Sequence, residues 1–244
     1  MAAFELPPAG RRLLRDFQAT SASFPDPEAK RAESAKLGLG IRPATVIPSH
    51  PQPFCAPSDP VSRMPTMTIA FPRLLPSDTE PLIRFLTGDS WPFHSVSEVN
   101  RETARQWIAD GRFDNEENRS FWIVAGEEPV GMVRLMDLSD STPLFDLRIR
   151  AEHRGRGIGV QAVTWLTRYL FEEFPEVRRI EGTTRQDNRS MRRVFLRCGY
   201  VKEAHYREAW PTADGTVHDT VGYAVLLRDW LAGEVTVPEW DDEM

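Results

Sequence analysis

The sequence is short of cysteine and has no long apolar run. Its 244 residues include only Cys55 and Cys198, and neither lies in a CxxC pair or a Cys/His cluster with metal-ligand spacing. We therefore expect no disulfide framework and no bound metal. No stretch approaches the roughly 18 consecutive apolar residues that span a bilayer, and the start lacks the charged-then-apolar order of a signal peptide. These absences predict a cytoplasmic protein.

Positive charge is also scarce. The chain has 30 Lys and Arg side chains against 36 Asp and Glu, a formal net charge of −6 and a pI near 5.5. This balance has the wrong sign for a protein that binds nucleic acid or an anionic membrane surface, so we expect neither as a partner. A cationic or amine substrate is easier to accommodate.

Proline is spread unevenly along the chain. Eleven of the 20 prolines fall in residues 1–65, and residues 41–65 show neither the period of a strand nor that of a helix. We predict a Pro-rich, disordered extension over residues 1–65, a folded domain over residues 66–232 and an acidic, solvated tail over residues 233–244. Both Met64 and Met67 precede the first strand-like run, so the folded unit is expected to begin there.

From residue 68 onward the pattern of apolar residues becomes regular. Ser77-Asp78-Thr79-Glu80 has the pattern of a capping box that opens a helix ended by Gly88. Further helices are predicted over residues 97–110, 159–174 and 188–198. Strands are predicted over residues 68–74, 121–125, 130–138, 145–150, 177–184, 200–210 and 216–227.

One segment points to chemistry, Arg154-Gly155-Arg156-Gly157-Ile158-Gly159, which lies between a strand and the strongest helix pattern. Alternating glycines let the backbone turn tightly, so that several N–H groups converge at a helix N-terminus and form an anion site. The two arginines add charge-assisted donors for phosphate. The segment therefore predicts a phosphate-binding loop.

Three kinds of phosphate-binding loop are compared with this segment. A Walker loop needs Gly-Lys-Ser/Thr, whereas Val160-Gln161 follow the last glycine. A dinucleotide fingerprint is closer, because residues 157–162 match GxGxxA and Glu181 lies about 20 residues on. In that fold, however, the first glycine directly ends a buried strand, and here residues 151–156 intervene. The third pattern, R/Q-x-x-G-x-G/A, fits at every specified position.

The third pattern is that of the GNAT acetyl-CoA-dependent N-acetyltransferases, which residues 68–230 resemble. Asn188 and the segment from Phe195 to Tyr200 look like the next family motif, and residues 218–230 look like the closing strand of the branch that acetylates ribosomal-protein N-termini. The resemblance implies an α/β GNAT-type acyltransferase fold with a mixed, mostly antiparallel sheet and helices on both faces. It also implies acetyl-CoA as co-substrate and a protein N-terminus or small amine as acceptor, and it leaves a homodimer open.

The resemblance also assigns residues to the CoA site. Backbone N–H groups from Arg156 to Val160 are expected to cradle the pyrophosphate, and the arginine side chains of the loop to contact it. A backbone N–H near Ile149 is expected to face the thioester carbonyl, and Asn188 to contact the pantetheine arm or shape its cleft. The expected CoA-binding residues are Ile149, Arg154, Gly155, Arg156, Gly157, Ile158, Gly159, Val160 and Asn188.

Catalytic roles are harder to assign. Phe195 stands where some members have a tyrosine proposed to protonate the departing thiolate, and Met191 where many have Ser or Ala. A thiol has a pKa of about 8.5, by analogy with cysteine, so a thiolate can leave near neutral pH with modest help, and the main demand is to remove a proton from the amine. The candidate bases are strand carboxylates, Glu181 first, then Asp146, then Asp137 at the end of a hairpin strand.

Two further features keep alternatives open. Trp91, Phe93 and His94 lie where this fold places its acceptor-binding loop, although aromatic residues there more often belong to the core. Phe195 and the unassigned residues 1–65 also fit a non-catalytic CoA-binding or interaction module with the same fold.

Overall fold

The computed structural model describes residues 68–212 and 214–240. The predicted extension over residues 1–65, Met64 and Met67, and residues 241–244 of the predicted tail lie outside the described residues. Within this part, strands and helices follow the predicted order, except for an unpredicted helix at Leu227–Ala232, and the α/β class is confirmed. None of the helices in the described ranges combines the length and the apolar character needed to cross a membrane.

The structure gives the elements the following bounds. The strands are β1 Ile69–Ala70, β2 Arg119–Ala125, β3 Glu128–Met136, β4 Leu144–Ile149, β5 Arg179–Arg185, β6 Val201–Pro211 and β7 Val217–Leu226. The α-helices are α1 Thr79–Thr87, α2 Arg101–Ala109, α3 Ile158–Glu173, α4 Arg189–Arg197 and α5 Leu227–Ala232. Short 3₁₀ turns occupy Pro76–Asp78 and Ala151–His153.

The strands form one seven-stranded sheet in the order β1-β2-β3-β4-β5-β7-β6. Every neighbouring pair is antiparallel except β4 and β5, which are parallel. The parallel pair stands near the middle of the sheet and requires a crossover, which α3 provides. This arrangement confirms the predicted mixed, mostly antiparallel sheet.

Helices cover both faces of the sheet. One apolar cluster joins α3 to β3, β4 and β5 through residues such as Leu166, Val133 and Ile180. The other joins α1 to β2 and β3 through residues such as Leu86 and Met132. Strand β3 contributes Val133 and Leu135 to the first cluster and Met132 to the second, and it is buried on both faces, as expected of a strand between two helical layers.

Four predicted boundaries are wrong, two of them because of local side-chain chemistry. The capping box does not form, since Asp78 Oδ2 accepts the Leu75 N–H at 2.9 Å and Trp122 Nε1–H at 3.1 Å, and α1 begins at Thr79. Helix α2 begins at Arg101 rather than at residue 97, because the Asn100 side chain caps it. The first strand is cut to two residues, and β3 lies two residues earlier than predicted.

The first residues beyond α5 are held by one buried carboxylate. Asp229 Oδ2 accepts the backbone N–H of Thr236 at 3.1 Å and its hydroxyl at 2.6 Å, and the Asp229 carbonyl accepts the Glu234 N–H at 3.0 Å. Burial would raise the pKa of Asp229, but the hydrogen bonds from Thr236 and the nearby Arg228 lower it. This contact fixes residues 234–236, the first part of the predicted tail.

Candidate active site

The two parallel strands separate to form a cleft. They share a single register pair, Leu144 with Glu181, and the Glu181 N–H donates to the Pro143 carbonyl at 3.1 Å. Beyond that pair no ladder joins β4 to β5 in the described residues. The strands are therefore joined where β4 begins and are open toward Ile149 and Arg185.

The free backbone edge of β4 faces this cleft. The Arg150 N–H donates to the Val130 carbonyl of β3 at 2.9 Å. Because successive amides of a strand point to opposite edges, the N–H groups of Leu147 and Ile149 point toward β5. They are directed at the space between the diverging strands, and the role expected of Ile149 stays a prediction.

The glycine loop lies at the open end of the cleft and begins α3. Gly155 has φ +76° and Gly157 φ +81°, and a Cβ at either position would meet no atom within 4 Å. The backbone conformation, not lack of space, therefore requires glycine there. The first amides of α3, on Ile158, Gly159 and Val160, have no carbonyl four residues earlier within the helix and are available to an anion.

The third glycine of the loop has a packing role. A Cβ at Gly159 would lie 3.2 Å from Val194 Cγ2 of α4 and 3.6 Å from Ile149 Cδ1 of β4. The absence of a side chain lets the start of α3 approach both elements. The N-terminal amides of α3 are thereby placed beside the open end of β4.

Two residues assigned to CoA make protein contacts. Arg154 donates from Nε to the Ile149 carbonyl at 2.8 Å and from Nη2 to the Ser90 carbonyl at 2.9 Å. Asn188 Oδ1 accepts the Met191 N–H at 3.1 Å, which caps α4, and its Nδ2 donates to Thr184 Oγ1 at 3.0 Å. Both residues hold the walls of the cleft in place, and Arg156 is exposed on the loop.

On the α4 side, the closed end of the cleft is apolar. A Cβ on Gly182 of β5 would lie 2.5 Å from the Phe195 ring and 3.2 Å from Phe145. Phe195 is 1% exposed and stacks on Tyr223 with ring centroids 4.7 Å apart. Phe195 therefore packs against β5 as part of the core, and its ring supplies no proton at this end of the cleft.

The opposite side of β4 carries a polar cluster, which we call the Asp146 cluster: Asp146, Arg148, Arg134 and His94, of which the arginines are buried and Asp146 and His94 are half-buried. Asp146 Oδ1 lies 2.9 Å from His94 Nε2, and Asp146 Oδ2 lies 3.4 Å from both Nε and Nη2 of Arg148. Arg134 faces Asp146 in the register of β3 and β4. Arg134 is 7% exposed and Arg148 is 4% exposed.

The charges of this cluster shift two pKa values. Burial would raise the pKa of Asp146, but Arg148, His94 and Arg134 hold it well below its usual range. Burial lowers the pKa of His94, an effect that Arg148 and Arg154 reinforce and Asp146 opposes. At neutral pH the cluster therefore contains an ionised Asp146 and a neutral His94.

The loop between α1 and α2, residues 88–100, brings His94 to this cluster. The loop is bound to the end of β4 by the Asp89 carboxylate, which accepts the Ala151 N–H at 2.6 Å. It is bound to the end of β5 by Arg185, which donates to the Pro92 carbonyl at 3.2 Å. The sequence signal was the aromatic segment that contains His94, but only the tertiary contacts distinguish a cleft residue from a core residue.

The other two candidate bases lie in different surroundings. Glu181 is 37% exposed and is paired with Arg179 at 2.7 Å, and Arg179 also binds Glu203. Asp137 follows the end of β3 and has φ +56°, so it belongs to a turn rather than to a hairpin strand. The structure brings Asp146 and Glu181 to the strands of the cleft and leaves Asp137 in the turn after β3.

Three side chains near the loop could approach one cation. Single ligand atoms of Glu128, Glu152 and His153 lie within 4.8 Å of one another. His153 Nε2 is 3.7 Å from each carboxylate, and both glutamates are exposed. This grouping lies outside the cleft, and no residue of the Asp146 cluster belongs to it.

Comparisons with known proteins agree with this geometry. The sequence profile of the acetyltransferase (GNAT) domain matches residues 70–201. No curated protein sequence matches this chain.

Solved structures match over most of their own length. A probable acetyltransferase is 25% identical, with a TM-score of 0.55 over 66% of this chain and 94% of that chain. A spermidine N-acetyltransferase chimera from Vibrio cholerae and hSSAT is 19% identical, with a TM-score of 0.57 over 67% and 98%. A ribosomal L7/L12 α-N-protein acetyltransferase in complex with coenzyme A is 17% identical, with a TM-score of 0.57 over 66% and 94%.

The profile match covers more than half of the sequence, and the divergent parallel strands with a glycine loop at their open end belong to the same fold. The predicted family is thus confirmed. This chain belongs to the GNAT acetyltransferase family.

Proposed function

We propose that this protein transfers the acetyl group of acetyl-CoA to a primary amine by direct attack of the amine on the thioester. The observation that carries the proposal is the cleft itself. Strands β4 and β5 share one register pair, and the glycine loop stands at the end where they diverge. The free amide of Leu147 then pairs with the pantetheine arm, the amide near Ile149 faces the thioester carbonyl, and those of Ile158 to Val160 bind the pyrophosphate.

The chemistry that follows needs no covalent enzyme intermediate. The amine nitrogen attacks the thioester carbonyl carbon, a C–N bond forms, and the C–S bond breaks with its electron pair moving to sulfur. Backbone N–H groups on the free edge of β4 are positioned to stabilise the developing oxyanion. The nitrogen loses one proton and the sulfur of CoA gains one, so the reaction balances.

The charges along the cleft favour one acceptor class. The carboxylates of β4 and β5, Asp146 and Glu181, are both paired with arginine. A polyamine carries several ammonium groups and gains affinity from unpaired carboxylates, which these two strands do not offer in the described part of the chain. An α-amino group has a pKa of about 8 and needs little deprotonation. We therefore favour a protein N-terminus over a polyamine.

The proposal is tested by measuring CoA release from acetyl-CoA with two probes, a peptide with a free α-amino group and spermidine. We expect acetylation of the peptide and slower or no acetylation of spermidine. Faster reaction with spermidine reverses the acceptor assignment but leaves the acetyl transfer intact. Calorimetric binding of acetyl-CoA with no CoA release from either amine would instead support the non-catalytic CoA-binding module.

A comparison of ligands by thermal shift separates the CoA site from the dinucleotide alternative. We expect acetyl-CoA to raise the Tm and NAD to leave it unchanged, since a ligand stabilises the state it binds. Stabilisation by NAD alone would contradict the CoA assignment.

A further inference from the structure

One ring nitrogen of His94, in the Asp146 cluster, makes no hydrogen bond to the described part of the protein. His94 Nδ1 is screened from water and has no partner among residues 68–212 and 214–240. The His94 side chain as a whole is 21% exposed, so other atoms of the ring are open to solvent. A buried polar atom without a partner costs free energy, and a catalytic role is one of the reasons for which native proteins retain such an atom.

The hydrogen bond to Asp146 determines what this nitrogen offers. An ionised carboxylate only accepts hydrogen bonds, so His94 Nε2 must be the donor across the 2.9 Å contact. Neutral imidazole carries one N–H, and its other nitrogen is then a bare lone pair. His94 Nδ1 is therefore an acceptor, kept in that form by Asp146.

The surroundings keep His94 neutral. Asp146 and Arg148 face it from β4 and Arg154 from the glycine loop, while Trp91 of its own loop meets it edge-on with ring centroids 6.2 Å apart. Burial and the two guanidinium groups lower the pKa of His94, and Asp146 opposes them. A proton that arrives on His94 is stabilised by Asp146 and can leave again.

The position of His94 matches the need of the reaction. The α4 side of the closed end is formed by the rings of Phe145 and Phe195, which exchange no protons. His94 lies on the other side of β4, where it binds Asp146. Asp146 is two residues beyond Leu144, the residue at which β4 pairs with β5. Glu181 also lies on that side, but Arg179 occupies its carboxylate.

We infer that His94 takes the proton from the acceptor amine and that Asp146 is the positioning residue that fixes the reactive form of its ring. This inference rests on the proposed acetyl transfer. As the amine nitrogen bonds to the carbonyl carbon, its N–H proton moves to His94 Nδ1, and the C–S electron pair moves to sulfur. The proton then passes to the thiolate, so CoA leaves as the thiol and His94 returns to its neutral form.

The test compares His94→Ala with His205→Ala on the full chain, using acetyl-CoA and the probe amine that the wild type acetylates. His205 is a matched control, since its Nε2 lies 2.8 Å from Asp219 but on the exposed β6–β7 hairpin. We expect His94→Ala to lose about 10² to 10⁴-fold in kcat with an unchanged Kd for acetyl-CoA. Added imidazole should restore part of the rate, and His205→Ala should resemble the wild type.

The pH profile separates proton transfer from a merely structural role. In His94→Ala the rate should rise about tenfold per pH unit up to the pKa of the amine, because only solvent then removes the proton. Asp146→Asn should lower kcat at least about tenfold with little change in KM, since it removes the charge that holds the ring. A His94→Ala protein with wild-type kcat and pH profile overturns the inference.

A measurement without an acceptor completes the test. Nitrogen NMR of the histidines in the full chain should show His94 neutral at pH 7 with its proton on Nε2. A proton on Nδ1 would overturn the inference even if acetylation is normal. Conversely, a wild type that acetylates neither probe contradicts the proposed function, whatever the NMR shows.

Discussion

The two sides of the cleft are built from opposite kinds of residues. On the α4 side, Phe145, Phe195 and Gly182 form a close-packed apolar surface. On the α1–α2 side, Asp146 and its partners form a buried polar network. The sheet separates these environments by the alternation of side chains along β4, where Phe145 and Asp146 are neighbours in sequence but face opposite layers.

This contrast assigns different work to the two sides. The apolar side and the backbone amides suit a long carrier whose binding depends on shape and on main-chain hydrogen bonds. The polar side offers titratable groups whose charges are tuned by their neighbours. Predictions that disturb one side and leave the other unchanged therefore test whether binding and proton transfer are separable.

The largest effect on stability is expected on the polar side. Asp146→Ala leaves Arg148 and Arg134 buried without their carboxylate and should lower the free energy of unfolding by about 3–5 kcal/mol. Asp187→Ala is the control, since Asp187 is 45% exposed beside Arg185 and should cost about 0–1 kcal/mol. Equal losses in urea denaturation would mean that the Asp146 cluster is not a buried network.

On the apolar side, Gly182→Ala should lower the free energy of unfolding by about 1–3 kcal/mol. The added methyl group would lie 2.5 Å from the Phe195 ring, so the ring must move. The same substitution made in a Phe195→Leu background should cost less, because the smaller side chain gives way. Denaturant unfolding of the two single variants and the double variant measures this coupling, and strict additivity would contradict it.

Gly157→Ala tests the loop and has a close match in Gly215→Ala. The two glycines have φ +81° and +85°, and neither has an atom within 4 Å of its ideal Cβ. Each substitution should cost about 1–2 kcal/mol in stability through backbone strain. Calorimetry should show weaker acetyl-CoA binding for Gly157→Ala only. Equal loss of acetyl-CoA affinity in both variants would mean that the effect of Gly157→Ala is not specific to the loop.

The smallest effect is a change in the pH dependence of stability. The pKa of His94 is lower in the folded protein than its ordinary 6.5, so below pH 6.5 the unfolded chain binds more protons at this site. Stability from this group is therefore present above pH 6.5 and is lost as the pH falls through the folded pKa. Urea unfolding at several pH values between 5 and 7 gives the free energy of unfolding as a function of pH. This free energy should change less with pH in His94→Gln than in the wild type, and an identical pH dependence would contradict the lowered pKa of His94.

Much of the loop was predictable because its conformation is local. Arg154-Gly155-Arg156-Gly157-Ile158-Gly159 carries its own signals, namely glycines at the two positive φ values and a helix directly after them. The roles of Arg154 and Asn188 were less accessible. Their side chains contact carbonyl, hydroxyl and amide groups whose approach depends on how α4 and the α1–α2 loop pack.

The family and the order of the elements before α5 were predictable from the sequence, since periodicity and glycine placement depend on residues close together along the chain. The sequence also suggested Asp146 and Glu181 as bases, because both lie on the strands beside the cleft. The contacts of Asp146 with Arg148 and with His94, which is 52 residues away along the chain, became visible in the folded protein. Such a contact depends on the path of a whole loop, and no local pattern encodes the charges that surround a buried group.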